Sequence, residues 1–317
     1  MKAWVRETYG GPEVLRLQDE PVPSPKAGEV LIRVIASSVN PADWHVLRGE
    51  PVFARATIGL FKPKHRVLGA DVAGTIEAVG SGVTAFRPGD AVYANLLDEQ
   101  FGGFAEFTTA PVTVVAPKPA ALTFEEAAAV PMAAITALQG FRAHGPIRPG
   151  QRVLVNGASS GVGHFAVQLA KAAGADVTGV TSTRNIDLVR SFGADRVIDY
   201  TKADFTITGP YDRILDAIGN RGVAALRRTL APDGACAVTG FTVVRKMLGV
   251  ALRGGKRIRQ VNAKGSAADL VELAALADSG KLRPAIDRTY PFAEVPAAIA
   301  YLETLRARGK VVVTMPG

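Results

Sequence analysis

The segment Val153–Gly163, VLVNGASSGVG, constrains this chain more than any other stretch. Val153, Leu154 and Val155 form an apolar run without alternation, the pattern of a strand covered on both faces. Small residues follow at once. From Val162 the apolar period changes: Val162, Phe165, Ala166, Leu169 and Ala173 share one helical face. Gly174 ends that helix, because glycine takes the left-handed conformation at little cost. A second apolar strand is expected over 177–180. The whole reads as one βαβ unit.

Small residues at such a turn permit close approach. Ala158, Ser159, Ser160, Gly161 and Val162 lead into Gly163 at the helix start. A pyrophosphate could meet backbone N–H groups there, where the helix dipole favours negative charge. The literal G-x-G-x-x-G is absent, with Ala158 and Ser160 where its first two glycines would stand. The alternative is a tight turn that binds nothing. The strand before, the helix after and the second strand favour a dinucleotide site.

The end of the second strand bears on the ribose. Sites for NAD usually place Asp or Glu there to bind the 2′-hydroxyl. This chain reads Thr181, Ser182, Thr183 and Arg184, with no carboxylate before Asp187. Arg184 can fork onto a 2′-phosphate and the hydroxyls can donate to it. NADPH is therefore the expected cofactor. The alternative is a solvated arginine opening the next helix.

At 317 residues the chain has material for two domains. Hydrophobic content of 48% and charged content of 21% suit a soluble globular protein. No apolar run reaches the roughly 18 residues of a spanning helix. The segment MKAWVRETYGG lacks the apolar core of a signal peptide, so a cytoplasmic protein is expected. The single Cys236 excludes an internal disulfide and a cysteine-rich zinc site. Net charge is +8, and Arg245, Lys246, Arg253, Lys256, Arg257 and Arg259 fall in one acid-free stretch. Such a stretch could meet nucleic acid or a membrane surface. Few aromatics accompany it, so base stacking is not suggested. The plainer reading is a solvated loop near an anionic ligand.

The first third is punctuated by turns at Gly10–Pro12, Pro21–Pro25, Gly80–Gly82 and Arg87–Asp90. Between them, Val30, Ile32, Val34 and Ala36 alternate as in a half-buried strand. From about Leu122, alanine-rich helices alternate with apolar strands at Val153, Val177, 196–199, 213–217, 235–239 and 258–261. That is a doubly wound parallel sheet. Helices are expected over 268–278 and 295–306, and a last strand, 311–314, rejoins the first domain.

Together these segments resemble the medium-chain dehydrogenase/reductase superfamily, in its zinc-free quinone oxidoreductase (zeta-crystallin-like) branch. The matching stretches are VNPADWHVLRG (39–49), LGADVAGTIEAVGSGV (68–83), FRPGDAVYA (86–94), GGFAEF (102–107), AAAVPMAAITALQG (127–140), the ASSGVG turn and GKVVV from Lys310. The resemblance implies a GroES-like β-rich catalytic domain over 1–120 and 285–317, and a Rossmann NADPH-binding domain over 121–284. Zinc-dependent members carry a Cys within the segment matching 40–43, and Gly-His-Glu where this chain has Gly69-Ala70-Asp71. Pro41 and Ala70 thus stand where ligands would be, and no four-cysteine lobe precedes Gly102. Zinc needs three or four such ligands in fixed geometry.

Without a metal, the acceptor implied is a quinone or the C=C of an α,β-unsaturated carbonyl. The alternatives are a non-catalytic NADPH-binding protein, crystallin-like or RNA-associated, and a zinc-free alcohol dehydrogenase. The resemblance puts Asn40, Asp43 and His45 in the substrate cleft, at the start of the helix after the Val39 strand; the alternative is that Asn40 and Asp43 are architectural, with Asp43 capping the local turn. There His45 could donate to the reduced oxygen or merely pack against Trp44. It also puts Thr136, Ala217, Ile218, Gly219, Gly240 and Phe241 around the nicotinamide, and Tyr200 by the adenine or its ribose, or as an apolar plug. The segment 242–255 is expected as a loop over the cleft. A homodimer is expected, joined at the 257–261 strand, with no membrane or nucleic-acid partner.

Overall fold

The computed structural model describes every residue except Asp98, Gln100, Val243 and Gly317. The chain divides into two compact units, residues 1–132 with 264–317, and residues 133–263.

In chain order, β1 (Lys2–Val5) and β2 (Arg16–Asp19) form an antiparallel pair. Then come β3 (Glu29–Val39), α1 (Pro41–Arg48), α2 (Arg55–Ile58), β4 (Asp71–Val79), β5 (Ala91–Asn95), β6 (Phe107–Pro111), β7 (Val115–Pro117) and α3 (Phe124–Ala128). Next come α4 (Pro131–Arg142), β8 (Arg152–Asn156), α5 (Gly163–Ala172), β9 (Asp176–Thr181), α6 (Ile186–Ser191), β10 (Arg196–Asp199) and β11 (Tyr211–Asp216). The chain continues through α7 (Val223–Thr229), β12 (Leu230–Val238), α8 (Val244–Arg253), β13 (Ile258–Gln260), α9 (Ala267–Asp278), β14 (Ile286–Pro291), α10 (Val295–Glu303) and β15 (Lys310–Thr314).

In the first unit a sheet runs β14-β15-β3-β4-β5-β7, with β6 also pairing β3. The alternating residues Val30, Ile32, Val34 and Ala36 are all buried, as expected of β3. Val30, Ile32, Val72, Val92 and Val115 form one core cluster. A second gathers Val39, Leu47, Leu68, Phe104, Ile299 and Val311. β15 does return to this unit, pairing Val311 with Val39 and Thr314 with Ala36.

The sequence limits at 120 and 285 do not coincide with these units. Helix α9 belongs with the first, where the Tyr93 hydroxyl donates to the Leu270 carbonyl at 2.5 Å. The Ala121 amide also donates to Asp278 at 2.9 Å. Polar ties of this kind leave little trace in a hydropathy pattern.

In the second unit, parallel strands run β10-β9-β8-β11-β12-β13. The order reverses between β8 and β11, where open α/β sheets place ligands. Val153, Leu154 and Val155 are fully buried, which explains their unbroken apolar run. Helix α5 is buried beyond its expected face, for His164, Phe165, Ala166, Val167 and Ala170 are all 0% exposed. Within segment 242–255, expected as a loop, Val244–Arg253 forms helix α8. Met247 and Val250 recur at helical spacing, and Val250 packs into the core with Ile258 and Cys236. Of this segment, Val243 lies outside the described residues.

Candidate functional site

Between β8 and α5 the chain turns through Gly157, at φ +82°. The amides of Gly157 and Ala158 donate to the Val180 carbonyl at 3.1 and 2.9 Å, tying the turn to β9. A Cβ on Gly163 would lie 2.0 Å from the Gly157 carbonyl oxygen. No side chain fits there, so glycine brings the start of α5 against the end of β8. Ser160 Oγ accepts from the Gly163 amide at 3.0 Å. Gly161 and Val162 are half-buried on the same turn.

Ser159 and Thr181 join hydroxyls at 2.8 Å, and Asn185 donates to Ser159 at 3.1 Å and to Ser182 at 3.4 Å. The turn and the end of β9 thus form one polar surface. Thr183 and Arg184 are exposed beside it. Sequence reading missed a carboxylate there. Register pairs Asp199 with Thr181, and Asp199 accepts from Thr183 Oγ1 at 2.5 Å and from Thr201 Oγ1 at 2.7 Å. The Thr183 hydrogen bond, with that from Thr201, holds its pKa below the ordinary value. Asp199 sits on the next strand over, where counting along the chain does not look. Tyr200 is 56% exposed, so it plugs no core.

At the end of β11, Asp216 is fully buried. Its Oδ1 accepts from Asn156 at 2.8 Å and from the Ile218 and Gly219 amides at 3.1 and 2.9 Å. The carboxylate therefore shapes the turn Ala217–Gly219, and burial pushes its pKa up. Gly240 and Phe241 follow β12, and Thr136 lies 7% exposed on α4. Asp216 Oδ2, Thr239 Oγ1 and Asn185 Oδ1 are buried without hydrogen-bond partners among the described residues. Buried polar atoms are normally paired, so these fit a polar group arriving at the strand ends. The turn, the Thr181–Arg184 segment and the Ala217–Gly219 loop suit a dinucleotide cofactor.

In the first unit, the other site residues meet at the start of α1. Asn40 and Asp43 are 2% and 0% exposed. Both side chains are spent inside, in keeping with the architectural reading and not with catalytic groups open to a cleft. Asp43 accepts from the Asn40 amide at 2.7 Å and the Gly69 amide at 3.1 Å. Burial drives its carboxyl pKa from 3.8 up to about 7. Asn40 donates to Asp71 Oδ2 at 3.0 Å and accepts from the Lys310 ammonium. Asp71 also accepts from Ser38 at 2.9 Å and from the Met132 amide at 2.8 Å, and it lies 3.4 Å from the ammonium. Burial lowers the Lys310 pKa. Both Asp71 and Lys310 stood in quoted motifs, but only the β15–β3 pairing reveals their partnership. His45 is half-buried and stacks on Trp44, ring centroids 3.6 Å apart. Burial lowers its pKa as well.

Comparison with known proteins fits this arrangement. Residues 26–120 match the alcohol dehydrogenase GroES-like domain, and 192–313 a domain described as zinc-binding dehydrogenase. The chain is 35% identical over 99% of its length to a 2-methylene-furan-3-one reductase of Solanum lycopersicum, covering 79% of that protein. The chain belongs to the medium-chain dehydrogenase/reductase superfamily, in its quinone oxidoreductase-like branch. Within that superfamily it is also 36% identical to an NADPH-dependent alkenal/one oxidoreductase, chloroplastic, of Arabidopsis thaliana, again over 99% of this chain and 79% of the other. The quinone oxidoreductase from Coxiella burnetii superposes with a TM-score of 0.89 at 30% identity, covering 100% and 99% of the two chains. The superfamily's nicotinamide cofactor matches the cradle of the second unit. No helix among the described residues is long and apolar enough to cross a membrane.

Proposed function

We propose that this protein is an NADPH-dependent reductase of quinones or of the C=C bond of α,β-unsaturated carbonyls, working without a metal. Its relatives named for alkenal/one, furanone and quinone reduction support the acceptor class. The observation that carries the metal-independent reading is that Pro41 and Ala70, at the positions where zinc-dependent members carry ligands, offer no donor, while the carboxylates beside them are already spent. Asp43 and Asp71 each direct both oxygens at N–H or O–H donors of the protein. Asp71 is also paired with the Lys310 ammonium, so neither carboxylate is left to ligate a metal ion.

When bound, the nicotinamide supplies a hydride. The protein's part is to bind, orient and donate hydrogen bonds. Backbone N–H groups of Gly161 and Val162, on the turn that the Ala158 and Ser160 amides tie to Val180 and Gly157, would hold the pyrophosphate at the start of α5. Arg184 would pair with a 2′-phosphate, with Ser182 and Thr183 beside it. Asp199, the carboxylate that could serve a 2′-hydroxyl, is already engaged by two threonines. Thr136, Ala217–Gly219, Gly240 and Phe241 would flank the nicotinamide, and Tyr200 the adenine end. His45, its pKa lowered by burial, is neutral at pH 7 and would donate an N–H to the acceptor oxygen. The outer edge of β13 ends the second unit's sheet, which supports a homodimer joined there.

Following NADPH consumption with a panel of quinones and enones tests this reading. Turnover of members of either class supports it. NADPH binding without turnover of any acceptor would leave a cofactor-binding protein with no reductase activity. Replacing His45 by Phe should lower kcat by about 100-fold, and unchanged turnover would remove His45 from the reaction.

A further inference from the structure

Helices α7 and α8 form a charged face on the second unit. Inward, α8 buries Val250 at 4% exposure. Outward, Leu248 and Leu252 are 50% and 82% exposed. Four residues apart, they share one side of the helix. Arg245, Arg253 and Lys256 are exposed on or just after the same helix, as are Arg227 and Arg228 on α7. Arg227 donates to the Arg253 carbonyl at 2.9 Å, bringing the cations of α7 to the end of α8. Between the helices runs a groove of about 570 Å³, lined by Val223, Arg227, Arg245, Leu248, Leu252 and Arg253. From residue 234 to 268 the sequence has no Asp or Glu.

We infer that this face docks the protein on an anionic bilayer surface. A short helix with exposed leucines set among arginines and lysines suits the interface plane. The cations meet lipid phosphates, and the leucines enter the acyl boundary. Charge complementarity selects this occupant over two others. A second copy on a two-fold axis would press this face against itself, cation against cation. Nucleic acid would satisfy the cations but leave the leucines in water, and no aromatic side chain lines the groove for stacking. The expectation of no membrane partner rested on the lack of a spanning segment, which says nothing of peripheral docking. The inference does not depend on which acceptor is reduced.

Co-sedimentation of the full chain tests it, with vesicles of phosphatidylcholine alone and of phosphatidylcholine mixed with phosphatidylglycerol. The protein should sediment with the mixed vesicles only, and less as salt rises. R245E/K246E/R253E should lower the partition coefficient by about 100-fold, at roughly fivefold per residue. L248S/L252S should lower it at least about tenfold. Leu248, Leu252, Arg245 and Arg253 are exposed, and a melting temperature matching the parent's would show that the variants fold. Three outcomes would overturn the inference. One is equal behaviour with both vesicle types. Another is release from mixed vesicles by free glycerol phosphate, which would mean a site for soluble anions. The third is a halved mass of L248S/L252S in light scattering, which would make this face a contact between copies.

Discussion

Lys310 and Asn40 stand 270 positions apart, and the Lys310 ammonium donates to the Asn40 side-chain oxygen in the interior of the first unit. Asp71 closes the ring, accepting from Asn40 and lying 3.4 Å from the ammonium. The last strand thereby fixes the residue that opens α1, and α1 carries His45 in its second turn. Burying these charges is costly on its own, and the network offsets that cost only while every member is present.

Removing one member should therefore be severe. Lys310→Met leaves the Asp71 carboxylate buried without its cation. It should cost roughly 3–5 kcal/mol in urea unfolding at neutral pH. A loss below about 1 kcal/mol would mean that the ammonium is not needed to offset the buried charge.

Asp43 gives the network a pH signature. Its folded pKa is about 7 against an ordinary 3.8, raised first by burial and then by Asp71, and opposed by the amides of Asn40 and Gly69. The folded state thus holds this proton more tightly than the unfolded chain does. Its contribution to stability is greatest below the unfolded pKa and is lost as pH rises through the folded one. Between about pH 4 and about pH 7, the wild type should lose stability relative to Asp43→Asn. Parallel unfolding free energies for the two proteins over that range would contradict the assignment.

At the cofactor cradle, Gly163→Ala should abolish tight NADPH binding with the first unit unharmed. The added methyl would lie 2.0 Å from a backbone oxygen, which no rotamer change relieves. Calorimetric titration checks this, and an unchanged Kd would mean that the turn has room to spare.

Arg184→Ala should weaken NADPH by about 10- to 100-fold, the loss of a charge-assisted contact, and leave NADH nearly untouched. Equal weakening of both would place Arg184 away from the 2′-phosphate. The neighbouring Asp199 sharpens this test, because freeing it from Thr183 with Thr183→Val should shift preference toward NADH.

Much of the scaffold was legible because burial on both faces writes itself as an unbroken apolar run. Val153–Val155 is one such run, and the small residues after it mark a turn where backbones nearly touch. β14 left no such mark. Its sequence, IDRTYP, is polar because it pairs only β15 and forms the sheet's edge. Helix α8 looks like a loop in the sequence because its basic residues hide the spacing of Met247 and Val250. Asp199 and Lys310 are missed for a common reason: each acts on a residue just past the end of the strand it pairs with, Thr183 after β9 and Asn40 after β3, and strand order is not visible in local pattern. Asn40 and Asp43 were found by position, but their confinement to the interior depends on Asp71, Gly69 and Lys310.

The central claim is hydride transfer to a metal-independent acceptor, and isotope tracing measures it most directly. Incubating the protein with NADPH deuterated at C4 of the nicotinamide and a simple enone, in ordinary water, should give product with one deuterium at the β-carbon and a solvent proton at the α-carbon. Nuclear magnetic resonance distinguishes the two positions, and chelator treatment should leave the rate unchanged. Product without deuterium from either C4 face of the cofactor, or turnover lost on chelation and restored by zinc, would contradict the account.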